Sequence, residues 1–113
     1  MRREGTDPNN VQMEDVLCDF CHTSWTEALP LIEGHHGSCV CGPCLTAAYR
    51  HVSILANDDR VGECQCTMCL ETREDPCYRS TTQVSAIICR RCIKLAAGAL
   101  ERDPDFEWKR PTE

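Results

Sequence analysis

The sequence predicts a small α+β fold made of two tandem units, each organised around four cysteines. Three observations predict it. Eleven of the 113 residues are cysteine and only six are Phe, Trp or Tyr, a four-cysteine pattern occurs twice, and an amphipathic stretch follows each copy. Units of about 50 residues bury too little apolar surface to offset chain entropy, so they usually need disulfides or bound metal ions for stability. The cysteines are expected to provide this stabilisation.

The cysteine pattern recurs with an offset of 48 residues, and both copies read C-x2-C-x19-C-x2-C. A second possible repeat has an offset of 25 residues: the pattern C-x-C-x2-C begins at Cys39 and again at Cys64. It leaves three cysteines of the first pattern without a partner, so we expect the 48-residue register to organise the fold. Its members are Cys18, Cys21, Cys41, Cys44, Cys66, Cys69, Cys89 and Cys92.

Metal binding explains this pattern better than disulfide bonding. The number of cysteines is odd, and C-x-x-C spacing suits two thiolates on one ion. The polar segment from Met1 to Pro8 lacks the apolar core of a signal peptide, which indicates a reducing cytoplasm where structural disulfides are rare. We expect two Zn²⁺ per chain, each held by four thiolates in a closed structural site. Iron is the alternative metal: ferredoxin spacings are absent, but two distant pairs could hold a single iron.

Each unit is predicted to contain a Cys-x-x-Cys knuckle, a β-hairpin, and a second Cys-x-x-Cys that opens a helix. This order is the treble-clef arrangement. The predicted hairpins pair residues 29–33 with 38–40 and residues 77–79 with 83–88, because turn residues separate these segments.

The helices are predicted from apolar residues at three- and four-residue intervals after Cys44 and after Cys92. Stop signals follow at 57–59 and at 103–104. Thiolates at a helix N-terminus are favoured by free N–H groups and by the positive end of the helix dipole. The predicted division is a tail, a first finger, a second finger and a tail: 1–13, 14–58, 59–104 and 105–113.

Both units resemble the amino-terminal four-cysteine zinc-binding domain of the ClpX unfoldase. In the first unit, Cys18-Asp19-Phe20-Cys21 resembles the family's opening knuckle and Leu31-Ile32-Glu33-Gly34 its Leu-Ile-x-Gly turn. Cys41-Gly42-Pro43-Cys44-Leu45 is similar to its helix-opening pair. In the second unit, Ile88-Cys89-Arg90-Arg91-Cys92-Ile93-Lys94-Leu95 is closer still to the closing segment.

The likeness covers residues 16–56 and 64–102, and the chain has no Gly-x-x-x-x-Gly-Lys-Ser/Thr phosphate loop. The resemblance therefore implies the binding functions of this module without the ATPase: binding of partner proteins and self-association. Because the zinc domain of that family forms dimers, we expect the two units to pack as an intramolecular pseudo-dimer with an apolar seam between their helices.

Charge favours a protein partner over nucleic acid or a membrane. The formal net charge is −6, and residues 1–59 carry three basic and nine acidic side chains. Each four-thiolate zinc site adds about two negative charges, which repels nucleic acid and anionic membranes. No stretch approaches the roughly 20 apolar residues of a membrane helix. We expect a non-enzymatic, cytoplasmic interaction module whose partner is a protein, such as a chaperone or protease substrate, or a second copy.

Two alternatives from other functional classes stay open. A nucleic-acid-associated zinc protein would use the basic cluster Arg90, Arg91 and Lys94. An HNH-like nuclease would use the pair His35 and His36, which lie between glycines in the first predicted hairpin. Such a nuclease needs a second, histidine-bound ion and an activated water. The required Asn and helix His have no clear counterparts, so a polar turn is favoured.

Cys39, Cys64 and Cys77 lie outside the eight-cysteine pattern. With one histidine they would complete the ligand set of a third metal. Spare cysteines more commonly pack as small hydrophobes, and we favour that interpretation.

Overall fold

The computed structural model describes residues 1–112 and contains two antiparallel β-hairpins, each followed by a helix. The Cα radius of gyration is 13.7 Å, close to the value of about 13 Å typical of a compact domain of about 100 residues. The elements are β1 (Leu31–Glu33), β2 (Cys39–Cys41), α1 (Gly42–Tyr49), β3 (Cys77–Arg79), β4 (Ile87–Cys89) and α2 (Arg90–Glu101). Short 3-10 turns cover Met13–Asp15 and His35–Gly37, and a π-helical turn, Arg50–Ile54, continues α1.

Both hairpins form where the sequence predicts them: β3 has the predicted bounds, β2 lies one residue later than predicted, and β1 and β4 are shorter. Leu31 lies opposite Cys41, and Cys77 lies opposite Cys89. The second hairpin differs most from the prediction, because residues 83–86 form its turn: Ala86 N–H donates to the Gln83 carbonyl, 2.8 Å away. Strand β4 therefore begins at Ile87 and not at residue 83.

The 48-residue offset holds for β2 and β4 and for the two helices, but β1 and β3 are related by an offset of 46 residues. Pro30 precedes β1 and Pro76 precedes β3, and these prolines are also 46 residues apart. Gly42 N–H donates to the Pro30 carbonyl at 3.0 Å, and Arg90 N–H donates to the Pro76 carbonyl at 2.9 Å. Ile32 and Tyr78 therefore occupy equivalent places in the two hairpins.

The helices begin in the same way. Cys41 (φ −82°, ψ 163°) and Cys89 (φ −81°, ψ 159°) are extended N-cap residues, so each second Cys-x-x-Cys opens a helix. Helix α1 continues into the π-helical turn, and Ala56, with a positive φ of 56°, departs from helical backbone just before the predicted stop at residues 57–59. Helix α2 is regular and ends at Glu101, close to the predicted stop.

One buried cluster joins the two halves of the chain. Helices α1 and α2 contact each other, and their apolar faces meet the inner faces of both hairpins. The largest of its fully buried side chains, less than 2 % exposed, come from both halves: Phe20, Val40, Leu45, Ile88, Ile93 and Leu100.

In each knuckle, one backbone carbonyl accepts a hydrogen bond from the hairpin of the other half. His35 N–H donates to the Met68 carbonyl at 2.8 Å. At the position 48 residues earlier, the Phe20 carbonyl accepts hydrogen bonds from the hydroxyls of Ser80 (2.5 Å) and Thr82 (3.1 Å). The halves are therefore joined by reciprocal hydrogen bonds as well as by apolar packing.

Gly34 allows the first of these contacts, and we expect Gly34→Ala to lower the free energy of unfolding by about 1–3 kcal/mol. A Cβ at this position would lie 2.6 Å from the Met68 carbonyl oxygen and 2.7 Å from Ser38 Oγ. Because the nearest atom is backbone, the hairpin must move away from the second knuckle. Urea unfolding of the metal-loaded chain measures the effect.

Gly98→Ala is the matched control for that measurement. Gly98 lies inside α2. A Cβ added at this position would contact only the guanidinium end of the Arg102 side chain, at 3.2 Å. We expect this variant to be neutral or more stable, by up to about 1 kcal/mol, because alanine favours helix. Equal destabilisation by both substitutions would contradict the importance of the close approach at Gly34.

The predicted tails lie against the body of the fold. An isolated antiparallel bridge joins Arg2 to Val16. At the other end, Trp108 Nε1–H donates to Thr46 Oγ1 at 2.9 Å, and Phe106 packs against the central cluster. Glu113, the last residue of the predicted 105–113 tail, lies outside the described residues.

Candidate metal centres

Two tight turns present the first cysteine pair of each half. His22 N–H donates to the Cys18 carbonyl at 2.8 Å, and Leu70 N–H donates to the Cys66 carbonyl at 2.8 Å. The last residue of each turn, His22 or Leu70, has a φ of 61°. The two knuckles thus share one backbone conformation, with a non-glycine residue in the left-handed region in both.

We expect Leu70→Gly to raise the free energy of unfolding by about 0.5–1 kcal/mol. The left-handed conformation costs an L-residue about 1–2 kcal/mol, and the extra chain entropy of glycine offsets about 0.5–1 kcal/mol of that gain. Leu70 is 36 % exposed, so its truncation removes little packing. Glu71→Gly is the control, since Glu71 is not among the residues with positive φ, and it should destabilise. A lower urea midpoint for Leu70→Gly would contradict the strain at this position.

The structure brings the eight pattern cysteines together in two groups of four. Within each group the Sγ atoms all lie within 4.8 Å of one another. Cys21 Sγ and Cys41 Sγ are 3.7 Å apart, against the edge of about 3.8 Å expected for a tetrahedron with Zn–S bonds of about 2.3 Å. The groups are Cys18, Cys21, Cys41 and Cys44, and Cys66, Cys69, Cys89 and Cys92.

Backbone donors point at one sulfur in each group. Cys41 N–H donates to Cys18 Sγ at 3.3 Å, and Cys89 N–H donates to Cys66 Sγ at 3.4 Å. A further donor, Phe20 N–H, lies 3.3 Å from Cys18 Sγ. Such hydrogen bonds stabilise a thiolate, the form of cysteine that binds metal.

The thiols of each group influence one another's protonation. Hydrogen bonds from the Cys41 and Cys44 thiols lower the pKa of Cys18 to about 2. The hydrogen bond to Cys18 in turn raises the pKa of Cys41 to about 12 and raises that of Cys44 as well. The second group behaves alike, with the pKa of Cys66 lowered and those of Cys89 and Cys92 raised. The Cys18 thiolate thus opposes ionisation of Cys41 and Cys44, and the Cys66 thiolate opposes that of Cys89 and Cys92.

Each group could hold a metal ion by its four sulfurs. A divalent ion compensates two of the four thiolate charges, and four protein ligands complete a tetrahedron. Because no ligand position stays open for water or substrate, such a site has a structural role. The donor set and the distances thus fit the two Zn²⁺ that the sequence predicts.

The remaining cysteines belong to neither group. Cys39 and Cys77 are buried, and their thiols point at the backbone carbonyls of Gly37 and Asp75. Burial is the main cause that raises the pKa of both thiols, in keeping with neutral, hydrophobic side chains. Cys64 is half-buried, and its thiol lies 3.0 Å from the Val61 carbonyl. Within residues 1–112 no third group of metal-ligating side chains includes them.

No histidine within residues 1–112 belongs to a cysteine group, although His22 directly follows Cys21. His35 and His36 are exposed in the 3-10 turn of the first hairpin, and His36 has φ 54°. His51 Nε2 lies 2.8 Å from Asp59 Oδ1, and its ring packs edge-on against Tyr78. In the part of the chain that the structure describes, no histidine joins a metal-ligating group.

Sequence reasoning missed two residues that fix the knuckles against the hairpins. The Asp19 carboxylate accepts a hydrogen bond from Cys39 N–H at 2.7 Å, and Thr67 Oγ1 accepts one from Ile87 N–H at 3.0 Å. Asp19 and Thr67 are the first residues inside the two Cys-x-x-Cys knuckles. A short polar side chain at this position in both copies is the signal that could have identified them.

No protein-family model, curated protein or solved structure matches the chain. In residues 1–112, none of the helices has the length and apolar character needed to cross a membrane.

Proposed function

We propose that the chain is a double treble-clef zinc protein, in which two structural Zn²⁺ ions hold a surface that binds another protein. One observation carries the proposal: two closed sets of four sulfurs, each built from a knuckle and from the start of a helix. A knuckle, a hairpin and a helix in this order, with ligands from the first and last, define the treble clef.

The ClpX-like character and the pseudo-dimer belong to the same proposal. The contact between α1 and α2 and the reciprocal bonds from His35 to Met68 and from Ser80 to Phe20 support a pseudo-dimer. A module of this kind has no chemistry of its own to perform. We therefore propose a non-enzymatic role in the cytoplasm, with a protein as partner.

The first experiment measures metal content by elemental mass spectrometry, with native mass, on protein purified without added metal. We expect two zinc ions per chain. Three zinc ions would show that Cys39, Cys64 or Cys77 binds metal. Iron, or disulfides without metal, would overturn the proposal.

The nucleic-acid alternative is favoured by Arg90, Arg91 and Lys94, which are exposed at the start of α2. Titration of the zinc-loaded chain with labelled single-stranded RNA and duplex DNA separates the two functions. We expect no binding at moderate salt. Binding that falls steeply with salt concentration would support the nucleic-acid function instead.

A further inference from the structure

A cleft of about 390 Å³ lies between the first hairpin and helix α2, beside the second cysteine group. Its walls are mainly apolar. Leu95, which is 58 % exposed, forms part of the rim. The lining includes Ile32, Gly34, Met68, Arg91, Leu95 and Ala99.

Two aromatic rings fill the equivalent place, between the second hairpin and the π-helical turn that follows α1. Tyr78 is the counterpart of Ile32 in the paired strands, and His51 is the counterpart of Ala99 in the helices. The rings of His51 and Tyr78 pack edge to face with centroids 5.5 Å apart. Ile32 and Ala99 are smaller than Tyr78 and His51, so the cleft between them stays open to a side chain of another molecule. Since aromatic rings fill the equivalent place, we expect an aromatic side chain to fit this cleft.

A second, basic cleft of about 410 Å³ adjoins the first, because Arg91 and Leu95 line both. Its other walls are formed by Arg73, Asp75, Arg90 and Lys94. Arg73 is paired with Glu71 at 2.6 Å and with Asp75 at 3.7 Å. Arg90, Arg91 and Lys94 are exposed, and none of them forms an ion pair within residues 1–112.

The charge of the second metal centre does not cancel this basic cluster. A four-thiolate site with one divalent ion has an excess of about two negative charges, against the three cations Arg90, Arg91 and Lys94. The Asp75 carboxylate in the same cleft is balanced by Arg73 at 3.7 Å. The cations sit at the N-terminus of a 12-residue helix, whose dipole adds to the positive potential. On a chain with a net charge of −6, this is a local positive surface.

We propose that these two clefts, together called the α2 face, bind an extended acidic peptide segment of a partner protein. One aromatic side chain of the peptide enters the apolar cleft, and neighbouring carboxylates contact Arg90, Arg91 and Lys94. The inference rests on the proposed protein-binding function and names its surface and the chemistry of its partner. Nucleic acid fits less well, because a long polyanion is repelled by the net charge of −6 over the whole chain, whereas a short peptide contacts only the cluster of cations.

The chain's own acidic and aromatic segment, from Asp103 to Trp108, is already engaged in its own fold. Trp108 donates a hydrogen bond to Thr46, and Phe106 packs against the central cluster. A partner protein, and not a second copy, is therefore the occupant that we propose.

Selection of random dodecapeptides on the full zinc-loaded chain tests this surface. We expect the selected peptides to contain one Phe, Tyr or Trp with at least two Asp or Glu within a few positions. Fluorescence anisotropy with a labelled selected peptide should then show weakening of about tenfold or more for Ala99→Trp, which fills the cleft, and for Arg91→Glu. Replacing the aromatic residue of the peptide by Ala should weaken binding to a similar degree.

Ala47→Trp and Lys109→Glu are the matched controls. Each makes the same exchange at an exposed position that lines neither cleft, and we expect less than about a twofold change. Metal content and circular dichroism of every variant verify that it is folded.

Three results would overturn the inference: selected peptides without the acidic and aromatic motif, binding unaffected by Ala99→Trp and Arg91→Glu, or a dimer that blocks the face. Peptide binding at another surface would leave the proposed interaction function intact. Loss of that function would instead require that the zinc-loaded chain select no peptide at all and bind RNA.

Discussion

Removal of metal by a strong chelator is expected to unfold the whole chain. The central cluster is small, and four thiolates crowded within 4.8 Å repel one another or take up protons once the cation is gone. Structural zinc contributes about 10–16 kcal/mol in small zinc domains, more than the stability of about 5–15 kcal/mol that a typical domain has in total. Far-UV circular dichroism should lose the helix signal, and the emission of Trp25 and Trp108 should shift to longer wavelength.

The control is the same chelator saturated with Zn²⁺ beforehand, which should leave both signals unchanged. Adding excess Zn²⁺ to the chelated sample under reducing conditions should restore them. A metal-free chain that keeps its helix signal and its tertiary packing would contradict a structural role for the metal.

The second large effect is expected from Cys44→Ser. This substitution removes one of the four sulfurs of the first group, and the metal content should fall from two ions to one. Because Leu45 and Phe20 lie in the cluster shared with the second half, the whole chain should lose stability. We expect a loss of several kcal/mol, a large part of the roughly 10–16 kcal/mol that a structural zinc supplies.

Cys39→Ser is the matched comparison, because Cys39 is also buried and lies close to the same group in sequence but contributes no sulfur to it. It should keep two metal ions and lose about 1–3 kcal/mol for a buried hydroxyl in place of a thiol. Metal stoichiometry and urea midpoints of both variants decide the matter. Equal loss of metal in the two variants would mean that the ligand assignment is wrong.

The order of elements could be predicted because cysteine spacing and apolar periodicity are local signals. The two Cys-x-x-Cys pairs of each half predict which sulfurs meet, and the residues after Cys44 and Cys92 predict the helices. The grouping of the eight sulfurs agrees with the spacing, since two short segments joined by a hairpin can return to one point.

The remaining features depend on packing that the spacing does not encode. Equal separation of the cysteine pairs hid the different connection lengths of the two hairpins, because the first strand of the second hairpin begins two residues earlier and a longer turn, residues 80–86, compensates for this shift. A short polar side chain follows the first knuckle cysteine in both copies, but this local signal does not reveal that Asp19 and Thr67 accept hydrogen bonds from Cys39 and Ile87, 20 residues later. The α2 face likewise depends on the absence of a ring at Ile32, which is visible only beside Tyr78.

The reciprocal hydrogen bonds between the knuckles and the opposite hairpins have a consequence for how the chain fills with metal. Ordering one knuckle also orders part of the hairpin that completes the other site, so the first ion prepares the binding of the second. At limiting zinc, a population of chains should therefore divide into fully loaded and empty molecules, with few that carry a single ion. Such a protein would respond to zinc supply over a narrow concentration range, as an all-or-none switch and not as a graded buffer.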